Sequence, residues 1–465
     1  MVFSSLEFIF LFLPIFLIIY NSVPKKAQNF IVLTGSLIFY GYGVLETPLY
    51  FLLMIVTVLI NFILAQFISS FQKRKKIWLL FGIFFNFFWL AIFKYTNFFT
   101  ENVNALIPNL DLPMRNLILP IGISFYTFQN VSYLIDVYRK VTPAETSIIR
   151  YGAYITMFPQ LIAGPIVTYS TVARQLRKRR VNVTFVDEGL RTFTLGLGSK
   201  VIIANQIGNL WTDICNIGFE SISTPLAWMG IFAYTFQIYF DFYGYSLMAI
   251  GLGQLMGFRL PQNFNNPYLS VTMTEFWRRW HITLGSWFRE YVYIPLGGNR
   301  KGTLAMIRNT CVVWLLTGLW HGASWNFVLW GAAICIVILS EKFLTKKFFE
   351  KFRFVGHLYM LLLIPLSWLL FAVTDMEQLC IYFQKLFPFF FDNPKPIFPE
   401  DYIKYGKIYW KFFIAGILFT TTLPAMLYKK FKHSILTTIA LLAIFWFAVY
   451  CLYIGLNDPF LYFRF

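Results

Sequence analysis

Charge is scarce in this 465-residue chain: Asp, Glu, Lys and Arg together make up 13%, and only 21 of them are acidic. A soluble domain carries about a quarter charged residues, so an ordinary water-soluble protein is excluded. Histidine is scarcer still, at four. The five cysteines, Cys215, Cys311, Cys335, Cys380 and Cys451, are widely spaced and contain no CxxC pair. That spacing gives neither a disulfide framework nor a zinc site, and no metal is expected. The sequence also lacks a P-loop, a GxSxG elbow and an HExxH pair, which removes the usual nucleotide-cleaving, serine-hydrolase and metalloprotease machinery. It has no internal repeat, no inverted pair of broken helices and no linker. The opening MVFSSLEFIFLFLPIFLIIY has no Lys or Arg ahead of its apolar run and no small-residue cleavage motif behind it, so a retained first helix is expected rather than a signal peptide.

What the chain has is apolar surface: 58% hydrophobic and 21% aromatic residues, with a mean hydropathy of +0.62. Apolar runs recur from end to end, so the reading is an all-α polytopic membrane protein of about 11–12 transmembrane helices in a single domain, 1–465. Candidate spans are 6–22, 29–45, 49–69, 77–97, 117–137, 192–216, 226–256, 304–319, 325–341, 357–374, 411–428 and 435–455. The formal charge of +18 comes from short clusters between these runs rather than one basic face, so no nucleic-acid partner is expected. Positive-inside topology explains the clusters better. It places Lys25-Lys26, Lys73 to Lys76, Arg139-Lys140, Arg174 to Arg180, Arg300-Lys301, Lys342 to Arg353 and Lys429 to Lys432 in the cytoplasm and both termini outside. Ile155 to Thr168, ITMFPQLIAGPIVT, is too short and too Pro/Gly-interrupted to span. A re-entrant or interfacial element lining an internal cavity is expected there.

Two segments could carry chemistry. In VVWLLTGLWHGASWNFVLWGA, Val312 to Ala332, the one ionisable side chain is His321. It is bracketed by Gly318 and Gly322, and Trp314, Trp320, Trp325 and Trp330 supply rings nearby. A buried imidazole is driven toward its neutral form and can act as a general base. In TEFWRRWHITLGSWFREY, from Thr274, helical projection puts Trp277, Trp280, Leu284, Trp287, Phe288 and Tyr291 on one face. Arg278, Arg279, Ser286, Arg289 and Glu290 fall on the other. A helix lying in the membrane interface explains the arginines and tryptophans; His281, at the edge of the apolar face, is either a hydrogen-bonded core residue or part of a site. Asp241, inside FQIYFDFYGYSLMAIGLG, reads first as a structural acid neutralised by an arginine or tyrosine of a neighbouring helix, and second as a proton relay.

These words resemble the membrane-bound O-acyltransferase (MBOAT) family, in its AlgI-like, alginate-acetylating branch. The resemblance is carried by the opening MVFSS, PIGISFYTFQNVSYLIDVYR (Pro120 to Arg139), FPQLIAGPI (Phe158 to Ile166), YFDFYGYSLMAIGLG (Tyr239 to Gly253), the Asn263 to Arg300 stretch, GLWHGASW (Gly318 to Trp325) and the closing PFLYFRF. It implies helices around a central tunnel in a bacterial cytoplasmic membrane, and acyl transfer onto an extracytoplasmic polysaccharide. His321 would be the catalytic residue and His281 a second important one. Arg278, Arg279, Asp241, Glu275 and Trp320 are candidates for donor binding or tunnel support. No permanently bound cofactor is expected; the donor would be acetyl-CoA or another acyl thioester, and the partners membrane lipid, a polysaccharide acceptor and an extracytoplasmic acyl-accepting or transferase protein. D-alanyl transfer to teichoic acid, as in DltB, is the second choice. A transporter and a non-catalytic scaffold remain as other classes.

Overall fold

In the computed structural model, residues 2–455 are described apart from 108, 116, 163 and 392–394; the closing PFLYFRF lies outside them. Helices occur throughout and no strand is found among the described residues. Among the described residues, six helices are long and apolar enough to cross a membrane: Pro48–Ser70, Lys75–Leu106, Thr303–His321, Trp325–Lys351, Arg353–Ala372 and Ile435–Tyr453. Their outward faces are oily. Helix 435–453 exposes Ile435, Leu436, Ile439, Leu442, Trp446 and Phe447, a surface that only lipid suits at that density. The chain is an all-α multi-pass membrane protein.

Several expected spans are shaped by local chemistry that a hydropathy profile does not register. The expected 411–428 span is divided at Thr421-Thr422 into Asp401–Thr420 and Leu423–Phe431, bent by 70°, with Pro424 in the first turn of the second piece. The 117–137 span starts as a helix only at Ile123, after Pro120 and a Gly122 held at φ 73°. The 192–216 region runs as helix Val183–Gly198, a π-turn at Ser199–Ala204 and helix Asn205–Ile217.

The chain packs as two compact units: one formed by the chain up to Phe193 with Ser246–Gln262 and Ser286–Val292, the other by Thr194–Tyr245, Asn263–Gly285 and the chain from Tyr293 on. In the first, Asn61 and Asn86 exchange amide hydrogen bonds at 3.1 and 2.7 Å between helices 48–70 and 75–106, polar glue in an otherwise apolar interface. The Pro/Gly-interrupted segment lies here. It forms helix Ile148–Thr156, a short turn of helix at Phe158–Leu161 and irregular backbone. The described residues from Tyr151 to Val167 are all buried, so the broken backbone is enclosed by protein. Tyr154 donates to the carbonyl of Val167 at 2.8 Å and the hydroxyl of Ser36 accepts from the Phe158 amide at 3.1 Å, which satisfies backbone groups that lipid could not.

The second unit contains both candidate histidines. Helices 303–321 and 325–340 form a tight hairpin whose close approach depends on glycine. A Cβ on Gly318 would sit 2.4 Å from the Phe327 carbonyl oxygen, and one on Gly331 2.6 Å from that of Trp314. Helix 353–372 joins them, with its Leu370 and Phe371 carbonyls accepting from the Asn326 amide at 3.2 and 3.4 Å. The hairpin also brings Cys311 and Cys335 together as free thiols, with sulfurs 3.6 Å apart.

Candidate functional site

His321 is the last residue of helix 303–321. Gly322 then turns the chain into an extended conformation, and a Cβ there would fall 2.0 Å from the Phe327 ring, so a larger residue would have to displace that ring. The imidazole is 7% exposed. It packs edge-to-face against Trp320, Trp330 and Phe371, with ring centroids 4.9, 5.2 and 5.2 Å away. Gly318 admits the neighbouring backbone as the sequence suggested, whereas Gly322 admits a ring.

His281 is built differently. The expected continuous helix through Thr274 to Tyr291 is interrupted at this residue: Met273–Arg279 ends, Trp280 is extended, and Ile282–Phe288 begins anew. His281 itself has φ 43°, a left-handed backbone that costs a non-glycine residue about 1–2 kcal/mol. The 3.6-residue side-chain pattern continues across the break, which is why the sequence reads through it. What holds the break is the incoming strand of chain at 263–265. The Asn265 amide donates to Arg279 O and the Ile282 amide to Asn263 O, both at 2.9 Å, replacing helix bonds lost at the turn.

The Asn263 side chain completes the arrangement. Its Oδ1 accepts from the Thr283 amide at 3.3 Å and the Thr283 hydroxyl at 2.7 Å, and faces His281 Nδ1 at 3.2 Å. A backbone N–H can only donate, so the atom it meets is the amide oxygen. Nδ1 therefore carries the proton, and Nε2 is the basic nitrogen of this tautomer. The ring is 2% exposed, and desolvation by burial pushes its pKa down to about 3, so His281 is neutral at physiological pH. It lies edge-on to Phe242 at 4.7 Å and 6.1 Å from Trp320. Trp320 thus contacts both histidines.

The remaining candidates separate by what they touch. Glu275 belongs to a helix cap: its amide donates to Thr272 Oγ1 at 3.1 Å, its carboxylate accepts from the Val271 amide at 3.0 Å, and Arg279 reaches that carboxylate at 2.6 Å. The Thr-x-x-Glu pattern that announces such a cap was legible in the sequence. Arg278 is exposed. Asp241 is neutralised, as expected, but by Lys200 at 2.7 Å rather than by an arginine or tyrosine; the two side chains are 3% and 1% exposed. A Cβ on Gly244 would lie 2.6 Å from Gly196 O and 2.9 Å from the Lys200 amide, so the helices meet closely enough for the pair to form.

Three residues escaped sequence reasoning. Asn263 stands close to Asn265 and Asn266, and nothing in its local sequence sets it apart. Lys200 sat in an apolar run 41 residues from its partner. Glu341, 1% exposed, accepts from the Met273 and Thr274 amides at 2.6 and 3.1 Å, and so holds the start of the helix that leads into His281. No local signal marks a contact 68 residues away.

Around these groups lies a bed of indoles. Trp277 stands 5.0 Å from Trp314 and 5.5 Å from Trp330, and Trp280 4.9 Å from Trp368. An imidazole in such a ring-lined place can exchange a proton with a bound hydroxyl, since low polarity magnifies every local interaction.

Residues 139–384, a stretch that includes both histidines and the indole bed, match the model of the membrane-bound O-acyltransferase family. The chain is 39% identical to the probable alginate O-acetylase AlgI of Pseudomonas putida, over 84% of this chain and 81% of that one. It is 35% identical to the peptidoglycan O-acetyltransferase of Helicobacter pylori, over 81% and 78%. To the teichoic acid D-alanyltransferase of Bacillus subtilis it is 28% identical, over 50% and 62%. Matches of this extent show that the chain belongs to the membrane-bound O-acyltransferase family and is an acyltransferase.

Proposed function

We propose that the chain moves an acetyl group from a cytosolic thioester, acetyl-CoA or a related donor, for O-acetylation of an extracytoplasmic envelope polysaccharide. The observation that carries this reading is His321, a buried imidazole at a helix end walled by Trp320, Trp330 and Phe371, within a family of O-acyltransferases. His321 takes the proton of the attacking hydroxyl as its oxygen reaches the thioester carbonyl. His281 is the second histidine of the site. Its fixed tautomer suits it to accept a hydrogen bond rather than to titrate.

The same proposal places the protein in the bacterial cytoplasmic membrane with its N-terminus outside and the basic clusters facing the cytosol. Arg278, exposed on helix 273–279, is a candidate to attract the phosphates of a nucleotide thioester. An extracytoplasmic protein partner would carry the group to the polymer. Two relatives named for O-acetylation, at 39% and 35% identity over most of the chain, support acetyl as the acyl group. The D-alanyl alternative has the half-length relative behind it.

The test is alkali-released acetate and D-alanine from envelope and exported polysaccharide, in cells making wild type or His321→Ala at matched membrane abundance. Acetate should vanish with His321→Ala. Loss of D-alanine instead would transfer the assignment to the second reading, and unchanged esters of both kinds would refute His321 as the base.

A further inference from the structure

Trp330 is fully buried, and its indole Nε1–H has no acceptor among the described residues. An indole nitrogen only donates. Leaving such a donor unmatched in a protein interior is unfavourable, and a donor of this kind calls for an explanation. The ring stands 5.2 Å from that of His321 and nearly perpendicular to it, at 87°. Trp277, 5.5 Å from Trp330, also holds a buried Nε1–H without an acceptor. Trp330 thus brings one buried donor into ring contact with the imidazole, and Trp277 places a second in ring contact with Trp330.

We propose that the Trp330 Nε1–H is a catalytic hydrogen-bond donor to the acyl carbonyl oxygen of the thioester, with Trp277 as the second donor. This rests on the reading of His321 as the base. In the step it serves, the acceptor hydroxyl oxygen bonds to the thioester carbon while His321 takes its proton, and the carbonyl π pair moves onto oxygen. Trp330 stabilises that oxyanion. The pair then returns, the C–S bond breaks, and the leaving thiolate takes the proton from the imidazolium, giving ester and thiol. A buried donor aimed at charge that develops only in the transition state raises kcat rather than tightening binding. The unmatched N–H is therefore a strain in the resting protein that the reaction relieves.

Trp330→Phe keeps a ring and deletes the N–H. A second variant carries benzothienylalanine at 330, which keeps the bicyclic shape with sulfur in place of N–H. Both are measured as full-length protein in nanodiscs by thiol release from acetyl-CoA, and in cells by acetate esterified to polysaccharide, with His321→Ala alongside. The expected result is a fall of about 10²–10³-fold in kcat for both variants, with KM for acetyl-CoA and thermal melting held near wild type. Wild-type turnover in the benzothienyl variant, or a loss confined to KM, would overturn the proposal, because packing or binding would then explain the ring. If Trp330→Phe fails to fold, the benzothienyl variant decides. Intact turnover in His321→Ala would sink the base reading by itself, whatever the Trp330 variants do.

Discussion

The two histidines of this protein sit in different settings. His281 sits on strained backbone and is oriented by hydrogen bonds from Asn263 and the 263–265 segment, whereas His321 ends an ordinary helix and is packed by ring edges and faces. Polar bonds fix a tautomer. Aromatic walls set the polarity around an imidazole. The contrast argues for different duties, with His321 exchanging protons and His281 presenting a fixed nitrogen.

The strongest way to break this contrast is at His321 itself. His321→Ala should lower acyl transfer by about 10²–10⁴-fold while the protein melts near wild type, because the rings around it remain. A comparable loss of melting temperature would show a packing residue instead. Next is the Lys200–Asp241 pair, which anchors the helix whose Phe242 lies against His281. Removing one partner, as in Lys200→Met, should cost about 3–5 kcal/mol of stability, and pairing it with Asp241→Leu should recover much of that; thermal melting in detergent reads both.

Asn263→Ala removes the acceptor shared by His281 and Thr283 and should cost about 1–3 kcal/mol. Activity should fall with it and recover more fully in Asn263→Gln than in Asn263→Leu; equal activity in all three would deny the tautomer any role.

A smaller effect concerns acid. Burial holds the folded His281 pKa near 3 against 6.5 for the free side chain, so the unfolded chain binds the extra proton. The associated stability is complete above about pH 6.5. It declines as pH falls toward 3, by about 1.4 kcal/mol per unit. Melting should therefore drop more steeply between about pH 6 and 4 in wild type than in His281→Asn, which accepts the left-handed backbone. Parallel curves would show that the ring is not buried neutral. Least of all, Arg279→Gln should reduce abundance slightly by removing one partner of Glu275, which keeps the Val271 amide; such a half-buried pair near the surface is worth about 1 kcal/mol or less. Arg278→Gln should leave abundance alone and raise KM for acetyl-CoA.

Much of this architecture is readable in the sequence, and what escapes does so for distinct physical reasons. Long apolar runs announced helices because backbone hydrogen bonds must be closed locally in lipid. His321 stood out because few ionisable groups survive in such a run. The break at His281 was hidden because side-chain periodicity records faces, not backbone continuity. Lys200, Asn263 and Glu341 were hidden for another reason: each acts on a partner 18 to 68 residues away. Only the cap at Thr272 and Glu275 was both local and overlooked.

The left-handed backbone at position 281 has a consequence for how this protein can change. A residue kept there for its side chain holds a conformation that glycine or asparagine would adopt more cheaply. Selection for robustness alone would therefore favour replacing His281, and each such gain would discard the imidazole. A laboratory lineage evolved for heat resistance without an acylation screen should lose this histidine early, whereas one screened for product should find its stability elsewhere.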